Sequence, residues 1–456
     1  MRRNVKLFVL CVLSIPSIAH ADDWPQWLGP QRDGIWRETG IVEKLPVGGP
    51  KVRWRTPIGA GYSGPAVAND RVFITDYLLN QGSKQPDSPF DAAIVPGKER
   101  VLCLDEATGK IIWQHAYDCD YEVSYAAGPR TTPVVSGGKV YTLGTMGNLL
   151  CLDENKGKVL WSKNVLKEYQ ADIPFWGYSA HLLLDGDRLI SLVGGTGSAV
   201  VAFHKDTGKE IWRALTAPEI GYAPPILVEA GKTRQLIVWH PASVNGLDPA
   251  TGKVFWSVPW GDSPSKKKGK SLRAGMSIPT PRLAGDRLLL SCFYDGSLLL
   301  KLNTMKPAAE VLWQQKGRSE AAEDTVALHC VMSTPFIKDG HVYGVCSYGD
   351  MRCIKLETGE RLWSSLAATG GISMRWGNAF IIPQGNRYFL FNEKGDLIIA
   401  RMSPAGYEEI SRATIMEATN TMPGRRVLWS HPAFANRSMY ARNDREIVCV
   451  SLAETK

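Results

Sequence analysis

The sequence predicts an all-β chain, an eight-bladed β-propeller of four-stranded antiparallel sheets. Three observations predict it. A glycine lying four residues before a tryptophan recurs five times. The recurrences lie roughly fifty residues apart, a period suited to propeller blades. The unmatched strands at the two ends of the chain add up to one further sheet.

The recurring segments end at Trp113, Trp161, Trp212, Trp256 and Trp363, and their glycines are Gly109, Gly157, Gly208, Gly252 and Gly359. Each reads as an apolar strand, a tight turn whose glycine takes a positive φ, and a second strand that ends on a large aromatic. Upstream lie two more short strands, such as Thr132–Val135 and Lys139–Leu143 around the turn Ser136-Gly137-Gly138, which makes a sheet of four. Trp313 closes a degenerate copy whose turn is replaced by a longer loop. Successive tryptophans are then 44 to 57 residues apart. Helical arrays would show a 3.6-residue period, which no long window carries.

Complete sheets fall at about 62–117, 130–165, 178–215, 221–260, 276–317, 332–367 and 373–416. Three strands remain at the C-terminal end, around Pro432–Phe434, Ser438–Tyr440 and Ile447–Ser451. One remains near the start, Lys51–Arg55, whose Trp54 matches the last position of the repeat. An eighth blade assembled from both ends closes the ring in this reading. The chain divides into a signal peptide (1–21), a lead segment (22–49) and the propeller (50–456).

The signal peptide is read from Arg2, Arg3 and Lys6, the apolar run Leu7–Ile15 and the small-x-small site Ala19-His20-Ala21. The run is shorter than the ~20 residues of a membrane span. Cys11 lies inside the apolar core, not at a lipoprotein cleavage site. A soluble periplasmic or secreted protein is expected. Loss of 1–21 leaves 50 basic against 45 acidic residues, a mild excess. Lys266-Lys267-Lys268 and Lys270 sit among serines and Pro264 and read as a solvated loop, so no nucleic-acid partner is expected.

Eight cysteines remain beyond residue 21. Cys103, Cys151 and Cys353 each stand ten residues before a repeat tryptophan, where other copies carry Ala202 or Gly246. Equivalent points on face-packed sheets are ~10 Å apart, too far for a disulfide, so these thiols are expected buried and unpaired. Cys292 and Cys346 repeat the pattern on second strands, while Cys119 and Cys330 are left open between pairing and freedom. There is no Cys-x-x-Cys and no metal motif.

The run Asp-x-x-Thr-Gly-Lys-x-x-Trp resembles the tryptophan-docking repeat of pyrroloquinoline quinone (PQQ) propellers, and the resemblance covers residues 50–456. It implies that Trp54, Trp113, Trp161, Trp212, Trp256, Trp313 and Trp363 pack between neighbouring sheets. The opening Asp23–Gly34 and the stretch Ala171–Ser179 resemble secreted PQQ-like proteins of planctomycete bacteria, grouped with BamB-like propellers. Larger quinone dehydrogenases of this type carry an adjacent cysteine pair, which this sequence lacks, and no paired acids offer a calcium ligand and base. Asp118, Asp120 and Glu122 cluster without a partner motif.

In a propeller the residues just before each innermost strand gather around one mouth of the central channel. Those positions are Tyr62, Arg130, Trp176, Tyr178, Tyr222, Arg273, His329, Arg375, Trp376 and His431. Aromatics and arginines suit a ring-shaped ligand, an anionic group or a protein loop. Plugging of the channel by the same rings is the alternative. The insertion Leu78–Arg100 in the first blade offers a second surface, with its role open. The expected function is a binding or scaffold module for an envelope protein or a small-molecule ligand, with no cofactor. The alternatives are a PQQ- and calcium-dependent alcohol or sugar dehydrogenase with a divergent site, and a BamB-like assembly factor.

Overall fold

The computed structural model describes residues 22–261, 266–267, 270–271 and 276–454. The expected signal peptide lies outside them. Strands dominate; one helical turn, Val165–Glu168, and one 3-10 turn, Ala367–Thr369, are the helical elements of the described residues.

Eight four-stranded antiparallel sheets form the propeller. Blade one consists of Ala66–Ala68, Arg71–Leu79, Gly97–Asp105 and Ile111–Asp118. Blades two and three begin at Val134–Ser136 and Leu183–Asp185. Blades four to seven begin at Ile226–Ala230, Arg282–Ala284, Phe336–Lys338 and Ala379–Gln384. The eighth sheet is composite. Its order runs from Val52–Pro57 through Glu446–Ser451 and Ser438–Arg442 to Ala433–Ala435, with Trp54 opposite Cys449.

The repeat tryptophans join one blade to the next. Trp54 Nε1–H donates to the carbonyl of Glu106 at 2.7 Å, Trp113 to Glu154 at 2.9 Å, Trp161 to Lys205 at 2.8 Å and Trp212 to Pro249 at 3.1 Å. Trp313 donates to Leu356 at 3.0 Å and Trp363 to Ser403 at 2.8 Å. Every acceptor stands three residues before the turn glycine of the following blade. At Trp54, Trp113 and Trp212, whose indoles are buried, the bond spares the N–H from going unpaired, a cost of about 1–3 kcal/mol. Trp256 is the exception, because blade five has no such turn glycine. Its N–H turns back to Gln235 Oε1 at 2.7 Å, inside its own blade.

The turn glycines are needed for space as well as for conformation. Gly109 has φ +70°, and a Cβ there would lie 2.5 Å from the Trp54 ring. A β-bulge sits in the same hairpin, between Cys103 and Leu104, and brings Trp113 opposite Cys103. All eight cysteines of the described residues are buried and unpaired, Cys119 and Cys330 among them. Burial pushes the thiols of Cys103 and Cys151 up to about 12.

The lead segment is not a loose leader. It runs inside the ring along the innermost strands, whose outer partners leave one edge of backbone groups to be satisfied. Trp24 exchanges two hydrogen bonds with Val67 of blade one, and Pro25 accepts from Val135 of blade two. Arg32 reaches the carbonyls of Leu182 and Pro225, just ahead of blades three and four. Asp33 accepts from Arg282 of blade five, Trp36 donates to Pro383 of blade seven, and Val42 donates to Leu452 beyond blade eight. The segment thus visits the blades in their order around the ring.

The insertion in blade one is shorter than the sequence suggests. The second and third strands stay paired out to Leu79 and Gly97, with Asp76 opposite Arg100 and Tyr77 opposite Glu99. Arg100 also forms an ion pair with the buried Asp76 at 2.6 Å, which extends the ladder past the expected strand ends.

Candidate functional site

A cavity of about 360 Å³ lies at one mouth of the channel. Its floor comes from the lead segment. Trp27 is 6% exposed, lies on His181 with ring centroids 4.0 Å apart, and meets His431 edge-on at 4.2 Å. Its indole N–H donates to Thr280 Oγ1 at 2.8 Å, which fixes the ring against blade five.

The walls come from the connections between blades. Six of the ten sequence-predicted mouth residues line the cavity: Tyr62, Arg130, Trp176, Tyr222, Trp376 and His431. Arg273 lies outside the described residues. The other three point elsewhere, each for a local reason. Gly177, at φ +68°, breaks the alternation after Trp176, so Tyr178 turns back under blade three and donates to Val193 O at 2.6 Å. His329 is fully buried, and its Nδ1–H donates to Phe293 O at 2.9 Å, leaving Val331 and Met332 to form that wall. Arg375 pairs with Glu320 at 2.6 Å and lies over the Trp376 ring at 4.8 Å, behind the cavity surface.

Several lining residues escaped the sequence reading, among them Trp27, Phe90, Tyr125, Phe175, His181, Tyr294 and Trp429. Trp27 and Trp429 had a legible signal, as tryptophans outside the repeat. Phe90, at the tip of the blade-one insertion, is 44% exposed and packs on Tyr125 at 5.7 Å and Trp376 at 6.0 Å. The insertion therefore contributes to the mouth. Tyr125 and Trp376 both hold positive φ, +56° and +63°, an uncommon conformation for bulky residues. Their N–H groups are held by Pro89 O at 2.6 Å and Ser347 O at 2.8 Å, so the surrounding backbone fixes the strain at the mouth.

The electrostatics are sparse. Arg130 is the one permanently charged side chain among the described lining residues, and no carboxylate or amide joins it. Its guanidinium lies 5.2 Å over the Tyr62 ring. Desolvation lowers its pKa, but a guanidinium remains protonated at neutral pH. Burial also holds both floor histidines neutral: His431 falls to about 3, and His181 lies well below the usual histidine range. Thr132 ties the pair together, its N–H donating to His181 Nδ1 at 2.9 Å and its hydroxyl lying 2.7 Å from His431 Nε2.

A tricarboxylate quinone with calcium does not fit this lining. Three carboxylates require several cationic donors, and calcium requires carboxylate, carbonyl or amide oxygens close at hand. The described lining offers one guanidinium, and no cluster of three or more potential metal ligands occurs among the described residues. No helix of the described residues is long and apolar enough to cross a membrane.

Comparison with known proteins agrees with this architecture. The family described as outer membrane protein assembly factor BamB matches residues 97–306 and 240–456. BamB of Yersinia pestis is 22% identical over 234 residues, 51% of this chain and 53% of that protein. The chain thus spans about half the length of the curated relatives it matches. BamB from Moraxella catarrhalis superposes with a TM-score of 0.54 at 16% identity, covering 88% of this chain and 99% of that one. The quinohemoprotein alcohol dehydrogenase from Comamonas testosteroni gives 0.61 at 13% identity, covering 95% and 81%. These structural likenesses concern the fold, whereas the sequence match reaches along most of the propeller: the chain belongs to the BamB family of PQQ-like β-propellers.

Proposed function

We propose that this protein is a periplasmic or secreted binding module whose working site is the aromatic cavity at the channel mouth, and that it holds its ligand without transforming it. The observation that carries this reading is the lining itself. Aromatic rings from the blade connections converge on a floor of Trp27, His181 and His431, with no acid and base paired across the space. Such a surface supplies stacking and apolar burial but no proton-transfer pair and no nucleophile next to a base.

Fluorescence titration with 1-anilinonaphthalene-8-sulfonate tests it. One probe per chain is expected to bind, with Trp176→Ala and Trp27→Ala each weakening it about tenfold or more, as for residues at the centre of a binding site. Absence of saturable binding, or binding indifferent to both substitutions, overturns the reading. Addition of PQQ and calcium is expected to give no dye reduction with alcohols or sugars; sustained reduction would put the dehydrogenase reading in its place.

The family match favours a second reading, a part in outer membrane protein assembly, which is what the relatives' name says of them. Deleting the gene and measuring outer membrane protein abundance tests it. Unchanged abundance removes it.

A further inference from the structure

We infer that the cavity selects a flat ligand that bears hydrogen-bond acceptors and a single negative charge. This rests on the reading of the cavity as a binding site and adds the chemistry of what it takes.

The polar groups around the space are unbalanced toward donors. Arg130 spends its two terminal nitrogens on neutral acceptors only: Gly128 O at 2.6 Å, Thr145 Oγ1 at 3.4 Å, Ser124 O at 3.1 Å and Tyr125 O at 2.6 Å. It forms no ion pair among the described residues, and its Nε–H has no protein acceptor there. The Trp176 indole N–H is buried without a partner. His181 receives a backbone N–H on Nδ1, so the neutral ring carries its proton on Nε2, and no acceptor for that proton occurs among the described residues. Acceptors are scarce. The Tyr222 oxygen already accepts the Trp176 backbone N–H at 3.4 Å, and the Tyr62 oxygen already accepts from Asn420 Nδ2 at 3.1 Å.

Unpaired donors in an apolar space cost free energy that a ligand with acceptors returns on binding. The Arg130 guanidinium, which no carboxylate among the described residues contacts and on which the buried Glu99 acts only from beyond contact distance, attracts one negative charge and repels a cation. A polyanion would bring charges for which the described lining holds no counter-ion. Tyr125, Trp176 and Tyr222 line the cavity and pack against one another, an aromatic wall suited to a planar body.

Isothermal titration calorimetry on the purified chain separates the terms with three probes of one shape: 2-naphthoate, 2-naphthamide and 2-naphthylmethylammonium. Naphthoate is expected to bind about tenfold more tightly than the amide, and the ammonium more weakly than either, as for a charge-assisted hydrogen bond. Trp176→Phe keeps a ring and removes the N–H, and is expected to weaken naphthoate roughly three- to tenfold. Arg130→Met is expected to abolish the preference for naphthoate. Should that variant fail to fold, salt titration of the natural protein gives the same information, since naphthoate affinity is expected to fall with ionic strength and naphthamide affinity to stay level. Equal binding of the three probes, or tightest binding of the ammonium, overturns the charge selection and leaves the cavity a binding site. Binding of none overturns both readings.

Discussion

The indole of Trp27 and the imidazole of His181 lie face to face, centroids 4.0 Å apart and planes within 8° of parallel, although one belongs to the N-terminal lead segment and the other to the approach to blade three. This stack makes the floor of the cavity. It joins a segment outside the repeat to the ring that the repeat builds.

Removal of the floor ring is expected to be costly. Trp27→Ala deletes a buried indole and strands the Thr280 hydroxyl, a change of about 3–5 kcal/mol. Thermal unfolding is the check, with a clear fall in Tm expected. An unchanged Tm would mean that the lead segment does not hold the channel.

Acidification is expected to destabilise the fold through its buried histidines. His181 and His431 have folded pKa values well below the ordinary value of about 6.5, so between that value and about 3 the unfolded chain takes up protons that the folded one refuses. Their contribution is complete above the unfolded pKa and drains away as pH falls, by about 1.4 kcal/mol per pH unit for each histidine. His431→Gln should flatten the dependence of Tm on pH between 6.5 and 4. An identical slope in that variant and the natural protein counts against this assignment.

Two glycines with similar backbones are expected to respond differently to alanine. Gly109 and Gly137 both have positive φ, +70° and +58°, but a Cβ at Gly109 meets the Trp54 ring and one at Gly137 meets nothing. Gly137→Ala should cost only about 1 kcal/mol from conformation, and Gly109→Ala a further 1–3 kcal/mol or so from overpacking. Denaturant titration of the pair decides. Equal losses would show that the indole yields freely at the junction of blades eight and one.

The rim is expected to separate binding from stability. Phe90 is partly exposed and touches Tyr125 and Trp376, so Phe90→Ala should change stability by less than about 1 kcal/mol while weakening probe capture severalfold. Parallel Tm and probe titrations distinguish the two effects. Capture equal to that of the natural protein would place the insertion outside the working surface.

The repeat was legible because a blade is a local device. A strand, a glycine turn and a second strand ending in an indole must recur at short range wherever a sheet has to be latched to its neighbour, so Gly109 with Trp113 and Gly359 with Trp363 could be matched by spacing alone. The spare strand at Trp54 followed from the same count, and it pairs with Glu446–Ser451. The mouth was legible in part, because residues before an innermost strand must come near the channel. Their final direction was not, because it depends on single backbone reversals. Gly177 sends Tyr178 away from the cavity, and the left-handed conformation of Trp376 brings its ring in while Arg375 leaves for Glu320.

What the sequence determined by itself, then, was the ring of sheets and the tryptophans that join them, since periodic patterning records contacts between neighbouring units. What only the tertiary structure decided was the inside of that ring. Trp27 meets His181, His431 and Thr280 across separations that no period relates, and its place is set by which backbone edges and ring faces the closed assembly leaves unpartnered.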